Sequence, residues 1–271
     1  MYRTRQLNAW LSIPKRNDRA TSRIVLFPYA GGGPTAFYQW AAPLLDQFEV
    51  VMVNLPGREA RGGEALSTDW RTVSEGVAEA LDAIGGLPFA FFGHSLGALL
   101  AYETCRAARA RGGPAPYLLM TSARAAAQIA LKRAPYYHLP REPFFAELLK
   151  LGGIAPEIME LPALLDYIEP ILRADLELHD RYQHAPGPAL AQPVVAFRGQ
   201  DDASFPREDV EQWEQISTGP FHLHAFSGGH FFIDPHRDAV LALIGQYCRR
   251  YAPALPRASL TGAVFETVEV F

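Results

Sequence analysis

Six short apolar runs recur along this chain, and they leave it few architectures. They read RIVLFP (23–28), EVVMVNLP (49–56), PFAFFG (88–93), YLLMTS (117–122), PVVAFRG (193–199) and FHLHAFSG (221–228). Each is too short and too rich in Val, Ile, Leu and Phe to be a surface helix, and the first five do not alternate between apolar and polar. Such runs suit strands buried on both faces, the pattern of a parallel sheet. Helix-period segments fill the gaps: PTAFYQWAAPLLDQF with Pro34 near its first turn, DWRTVSEGVAEALDAI with Asp69 as N-cap, SLGALLAYETCRAARARG stopped near Gly112 and Gly113, REDVEQWEQI, and DPHRDAVLALIGQYCRRY. Strand and helix in alternation predict an α/β fold, a mostly parallel sheet with helices on both faces.

One stretch breaks the alternation. Residues 123–190 hold only helical patterns, EPFFAELLKLG and ELPALLDYIEPILRADLELHDRYQ. The break predicts a helical insertion over one end of the sheet, within a single domain spanning 1–271. The last residues, 254–271, follow a helix end and are expected to be a tail or an added edge strand. Charge and cysteine content narrow the function classes. A formal net charge of −4 offers no surface for nucleic acid. Cys105 and Cys248 stand far apart, with neither metal spacing nor a disulfide framework, which suits a reducing cytoplasm. The N-terminal segment has no apolar signal-peptide core. No window reaches the ~18 apolar residues of a spanning helix, so no membrane is expected either.

The chemistry centres on Gly93-His94-Ser95-Leu96-Gly97, a G-x-S-x-G pattern. Chance supplies about 0.06 such matches in a chain of this composition, so context has to make it specific. It does: a strand precedes the motif and a helix follows, the setting of a tight turn that lifts a serine hydroxyl out of a sheet. A serine alcohol is a weak nucleophile and needs a base, and the base needs an orienting acid. His230, in SGGHFFIDP, follows the last strand and precedes the last helix, the right place for that base. The other histidines fit less well: His94 is inside the turn and points elsewhere, and His138, His179 and His184 lie in the insertion. His236 begins the last helix. His222 and His224 form an H-x-H within a strand that could in principle ligate metal, but no third ligand is evident. The acid should follow PVVAFRG, and both Asp201 and Asp202 do; the one not used is expected to be solvated or to cap the next helix. An oxyanion hole requires two N–H donors. Leu96, directly after the nucleophile, supplies one. The glycine-rich loop FPYAGGG (27–33) supplies the other, with Ala30 as the chosen donor; it is not a phosphate loop, because no G-K-[ST] follows.

With these residues in place, the chain resembles the type II thioesterases, stand-alone members of the α/β-hydrolase superfamily that serve polyketide synthases and nonribosomal peptide synthetases. The similarity rests on FPYAGGGPTAFYQW, VNLPGREARGGE, FFGHSLGALLAYE, LLKLGGIAPEIM, PILRADLELHDRY and FSGGHFFI, and runs from about Trp10 to Tyr251. The LRAD block lies in the insertion, so it points to this branch and not to α/β-hydrolases generally. The resemblance implies a triad of Ser95, Asp202 and His230, an oxyanion hole of Ala30 and Leu96, and an insertion that acts as a mobile lid. The acid block departs from the family's usual two glycines, two residues and Asp-Pro; alignment through Gly199 selects Asp202. The implied activity is hydrolysis of acyl or peptidyl thioesters from the phosphopantetheine arm of carrier proteins, without cofactor or metal, by a cytoplasmic monomer. The alternatives are an acyltransferase or cyclase using the same acyl-serine, a general carboxylesterase, and a carrier-binding protein without activity. Arg58, Arg61, Lys132 and Arg133 are the candidates for a basic surface facing an acidic carrier. Phe144, Phe145, Leu148, Leu149, Leu151, Ile154, Ile168 and Leu172 are expected to form the insertion's apolar face, some of them lining an acyl channel.

Overall fold

A computed structural model describes residues 5–253. An eight-stranded sheet runs through it in the order β1-β2-β4-β3-β5-β6-β7-β8. The strands are β1 (Arg5–Gln6), β2 (Leu11–Ile13), β3 (Arg23–Phe27), β4 (Glu49–Val53), β5 (Phe89–His94), β6 (Leu118–Ser122), β7 (Val194–Gly199) and β8 (Phe221–Phe226). From β3 to β8 every pairing is parallel; β1 and β2 add an antiparallel edge, with Leu11 opposite Val53. The helices are α1 (Tyr38–Leu45), α2 (Trp70–Ile84), α3 (Leu96–Ala110), α4 (Arg141–Leu151), α5 (Pro162–Asp180), α6 (Arg207–Glu211) and α7 (Arg237–Tyr251).

The unbroken apolar strands follow from burial on both sides. Successive side chains point to opposite faces, so one strand feeds two cores. Val25, Phe27, Val51, Val53 and Phe91 face α2 and α3. Ile24, Leu26, Val50, Met52 and Phe92 face α1 and α7. Helix α2 starts where its cap predicts, Asp69 accepting hydrogen bonds from the N–H groups of Arg71 and Thr72. The first predicted helix is divided: a 3₁₀ turn, Pro34–Phe37, leads into α1.

The expected insertion lies between β6 and β7 and holds α4, a 3₁₀ turn (Pro156–Glu160) and α5. It owns a separate apolar cluster. Phe144, Phe145, Leu148, Ile154, Leu165, Leu172 and Leu176 are buried together, with Leu151, Ile168 and Ala30 packed against them. Leu149 faces an outer cavity instead. The predicted tail, 254–271, lies outside the described residues. Among the described residues, no helix is long and apolar enough to cross a membrane. The sheet's winding sets the place of the site. From β3 the chain moves outward to β4, then returns to the other side of β3 for β5, so the topological switch falls between β3 and β5. Loops leaving the carboxyl ends of those two strands open a crevice there.

Candidate active site

At the end of β5 the chain turns sharply into α3, and Ser95 sits at the turn with φ 55° and ψ −117°. A non-glycine residue in that region is strained by ~1–3 kcal/mol, and the surroundings must hold it there. They do: Ser95 N–H donates to the carbonyl of Ser122 on β6, 2.8 Å away. The two motif glycines are required by space. A Cβ at Gly93 would lie 2.0 Å from the Gly97 carbonyl oxygen, and one at Gly97 would lie 2.2 Å from that of Phe27.

Two loops from the far half of the sheet close on this serine. His230, on the loop after β8, places Nε2 3.0 Å from Ser95 Oγ. Its Nδ1 lies 2.8 Å from Asp202 Oδ2, on the loop after β7. The other Asp202 oxygen accepts the N–H of Ser204 at 3.0 Å. Both His230 and Asp202 are buried. Asp201 does not reach the histidine. It is exposed, but it neither floats in solvent nor caps α6, whose N-cap Pro206 has no side-chain partner. Its carboxylate accepts the N–H of Gly228 at 3.1 Å, and its own N–H donates to the Gly228 carbonyl. Asp201 thus ties the acid loop to the histidine loop. Gly199 lets the two approach, since a Cβ there would fall 2.1 Å from the Gly229 carbonyl oxygen.

This constellation sits in a chain whose residues 22–248 match the family model described as "Thioesterase domain". The chain belongs to the thioesterase family. Among curated relatives, the gramicidin S biosynthesis protein GrsT of Aneurinibacillus migulanus is 35% identical over 228 residues, 84% of this chain and 89% of the relative. Among solved structures, the type II thioesterase BorB from the borrelidin biosynthetic cluster superposes with a TM-score of 0.82 at 31% identity, covering 90% of this chain and 99% of that one. The thioesterase RedJ from the prodiginine pathway of Streptomyces coelicolor gives 0.80 at 37% identity, covering 85% and 92%.

In this thioesterase the glycine-rich loop after β3 is held by a pair of charges that the sequence did not reveal. Asp175, on α5, accepts the Gly31 N–H at 2.7 Å. The same carboxylate takes both terminal nitrogens of Arg58, Nη1 on Oδ2 and Nη2 at 2.7 Å on Oδ1. Arg58 also donates to the carbonyls of Gly32 and Pro56. Arg58 is 4% exposed and Asp175 1%. Gly31 has φ 79°, and Leu172 of α5 lies so close that a Cβ at Gly31 would come within 2.5 Å of it. Insertion helix, loop and Arg58 form one unit beside Ser95. A signal was available: Asp175 lies on the face of α5 that also carries Leu172 and Leu178, where a carboxylate must find a buried partner.

The thioesterase's expected basic surface needs correcting. Arg58 is consumed by Asp175. Arg61 is buried too, donating to the Asn54 carbonyl and to Glu64, with its guanidinium 4.1 Å from the centre of the Trp10 ring. Lys132 is exposed but paired with Asp209 at 2.6 Å, and Arg133 is paired with Asp180 at 2.7 Å. Internal ion pairing removes these four as a free cationic patch; only the partner of Arg61 is a near neighbour in sequence, the other three pairs joining distant elements.

Six of the other seven histidines meet polar or aromatic neighbours. His222 and His224 meet the hydroxyls of Tyr251 and Tyr247 at 2.8 and 2.9 Å. His184 meets the Tyr102 hydroxyl at 3.0 Å, and His236 the side chain of Ser227 at 2.9 Å. The His138 ring stands edge-on to Tyr137. His94 is fully buried, its Nδ1 2.9 Å from Ser122 Oγ and its ring 5.3 Å from that of His230. Burial, reinforced by His230, holds its pKa well below the usual histidine value, so it stays neutral beside His230. Among the described residues no cluster of three His, Cys, Asp or Glu is placed to hold a metal ion. Both cysteines are free and buried.

Two cavities lie side by side at His230, and only the inner one reaches Ser95. A small inner one, about 30 Å³, is lined by Ser95, His230, Ala30, Leu176, His179 and Phe205 among others. A wider one of about 520 Å³ opens outward past Tyr136, Lys150 and Phe231. Leu151, Ser204 and His230 line both.

Proposed function

We propose that this thioesterase hydrolyses acyl or peptidyl thioesters carried on the phosphopantetheine arm of a carrier protein, with Ser95 as nucleophile, His230 as general base and Asp202 as its orienting acid. The observation that carries the reading is the continuous chain from Asp202 Oδ2 to His230 to Ser95 Oγ, 2.8 and 3.0 Å, at a strained turn. With Nδ1–H given to Asp202, His230 Nε2 is free to accept the serine proton. The alkoxide attacks the thioester carbonyl. Backbone N–H groups of Leu96, at the start of α3, and of Ala30 receive the oxyanion. Support for Ala30 is its place on the inner cavity wall with Ser95. The tetrahedral intermediate collapses, the C–S bond breaks, and the thiolate takes the proton from His230. Thiols have pKa near 8.5, so this departure is easier than that of an alkoxide. Water, deprotonated by His230, then attacks the acyl-serine; the bond to Ser95 Oγ breaks, His230 returns the proton to that oxygen, and the acid leaves.

The outer cavity, walled on one side by Leu149, Lys150 and Leu151 of α4, is where the arm would arrive, and the insertion is the lid that moves to admit it. The names of the relatives support a role in clearing carriers of polyketide or nonribosomal peptide assembly, work expected in the cytoplasm. Direct turnover of a panel of acylated carrier proteins tests the reading. Ser95→Ala should keep the fold and lose turnover, and a serine-reactive fluorophosphonate should label wild type at Ser95. Label at another residue of active protein would overturn it, and faster release to added alcohols or amines than to water would favour acyl transfer.

A further inference from the structure

The last turn of α5 holds a second buried histidine–aspartate pair beside the reacting serine, and the reaction above leaves it unused. His179 is 4% exposed and lines the inner cavity together with Ser95 and His230. Its Nδ1 lies 2.9 Å from Asp180 Oδ1. Asp180 is held as a carboxylate by further donors, the guanidinium of Arg133 and the N–H of Tyr136 at 2.6 Å. A carboxylate at that position fixes the proton on Nδ1, so Nε2 carries the lone pair. Nε2 is buried and has no hydrogen-bond partner among the described residues. Burial, with the nearby Arg124 and Arg133 guanidiniums adding to it and Asp180 opposing, pushes His179 down to about 4. It is therefore a neutral acceptor at neutral pH.

A buried acceptor left unpaired is costly, and a ligand that satisfies it recovers that cost. We propose that His179 Nε2 accepts a hydrogen bond from a hydroxyl on the acyl group, so that this site selects hydroxyacyl thioesters over their unsubstituted counterparts. The cavity volume sets where that hydroxyl lies. About 30 Å³ admits only the first few atoms beyond the carbonyl, which restricts the hydroxyl to C2 or C3. The sign of the local charge sets its kind. Arg133 lines the cavity, and Arg124 stacks on Phe205 of the same wall with its guanidinium 4.8 Å from the ring centre. Arg133 is neutralised by Asp180, but Arg124 makes no ion pair among the described residues and would repel an ammonium; a neutral hydroxyl is not repelled.

The inference rests on the hydrolase reading, and one experiment separates the two. Hydrolysis of butyryl-, 2-hydroxybutyryl-, 3-hydroxybutyryl- and 2-aminobutyryl-coenzyme A is followed by thiol release for wild type, His179→Asn and His179→Gln. Wild type should prefer one hydroxyacyl thioester over butyryl by about five- to tenfold in kcat/KM, the worth of one net hydrogen bond. Asparagine keeps a donor for Asp180 but ends short of Nε2, so the ratio within that variant should fall to about one. Glutamine puts a carbonyl oxygen near the Nε2 position and should restore part of the ratio. Equal wild-type rates on butyryl and both hydroxybutyryl thioesters would overturn the inference without reference to any variant's folding, and so would a preference for the amino compound. An unchanged ratio in folded His179→Asn would overturn it as well. No turnover of any thioester would remove the hydrolase reading and this inference with it.

Discussion

Replacing Asp175 with leucine should cost the protein much of its stability, and replacing Arg58 as well should return the stability but not the activity. The two side chains are almost fully buried and bond through both carboxylate oxygens. Removing the carboxylate alone strands a guanidinium in the interior, a loss of ~3–5 kcal/mol. For a chain of this size each kcal/mol moves Tm by ~2–4 °C, so Asp175→Leu should melt roughly 6–20 °C early. The double variant Arg58→Met/Asp175→Leu exchanges the pair for apolar volume, which for buried pairs is close to neutral or better. Its Tm should therefore return to within a few degrees of wild type. Gly31 N–H has still lost its charged acceptor, an interaction worth ~1.5–3 kcal/mol. If that bond holds the glycine-rich loop in register beside Ser95, kcat/KM should fall about ten- to hundredfold in the double variant. Thermal denaturation and thiol-release kinetics on the same samples check both halves. Full kcat/KM in the stable double variant would show that the loop keeps its place without Asp175. A single variant melting within 2 °C of wild type would show that the pair is not the buried tie described here.

The adjacent acids should separate sharply: Asp202→Asn should lower kcat by about 10⁴, by leaving His230 in the wrong tautomer, whereas Asp201→Asn, which loses one exposed bond to Gly228, should cost less than tenfold; the reverse ranking in steady-state assays would reassign the acid. Stability should fall as pH drops from about 6.5 to about 4. His179 is buried neutral with a folded pKa near 4, so in that window the unfolded chain binds the extra proton and gains by it, for a loss of roughly 3 kcal/mol that His179→Asn should blunt in denaturant titrations across pH. Hydrogen exchange should be faster in 141–168 than in 171–180. The second half of α5 is tied down by Asp175 and by Trp70 Nε1 donating to the Leu178 carbonyl at 2.7 Å, whereas α4 mostly meets the insertion's own cluster; uniform protection across both would argue against a lid hinged at mid-α5.

The parallel sheet was legible because burial on both faces removes alternation from its inner strands, and five such runs survive even without their partners, while the half-exposed edge strand β8 alternates. The edge pair β1 and β2 was not, since two and three residues are too few to display any period. Ser95 and His230 could be found from position relative to strand ends. Asp201 and Asp202 are neighbours on the same loop, so spacing alone left them equivalent; only the approach of the two loops, permitted by Gly199, brings Asp202 to His230 and Asp201 to Gly228. Arg58 was misread as surface charge because its partner stands 117 positions away on the insertion. Charge in a loop looks solvated until the fold supplies the opposite charge. His179 was legible only as a member of the insertion, since nothing in a helical period says which face meets the active site.

Rapid-quench mass spectrometry of the intact protein, mixed with an acylated carrier protein, tests the central claim most directly. The account predicts a thiol-release burst stoichiometric with enzyme and an acyl group covalently on Ser95. Peptide mapping should place it there, and Ser95→Ala should show neither the burst nor the label. Burst and hydrolysis with no acyl on Ser95, or with the acyl group on another residue, would contradict it.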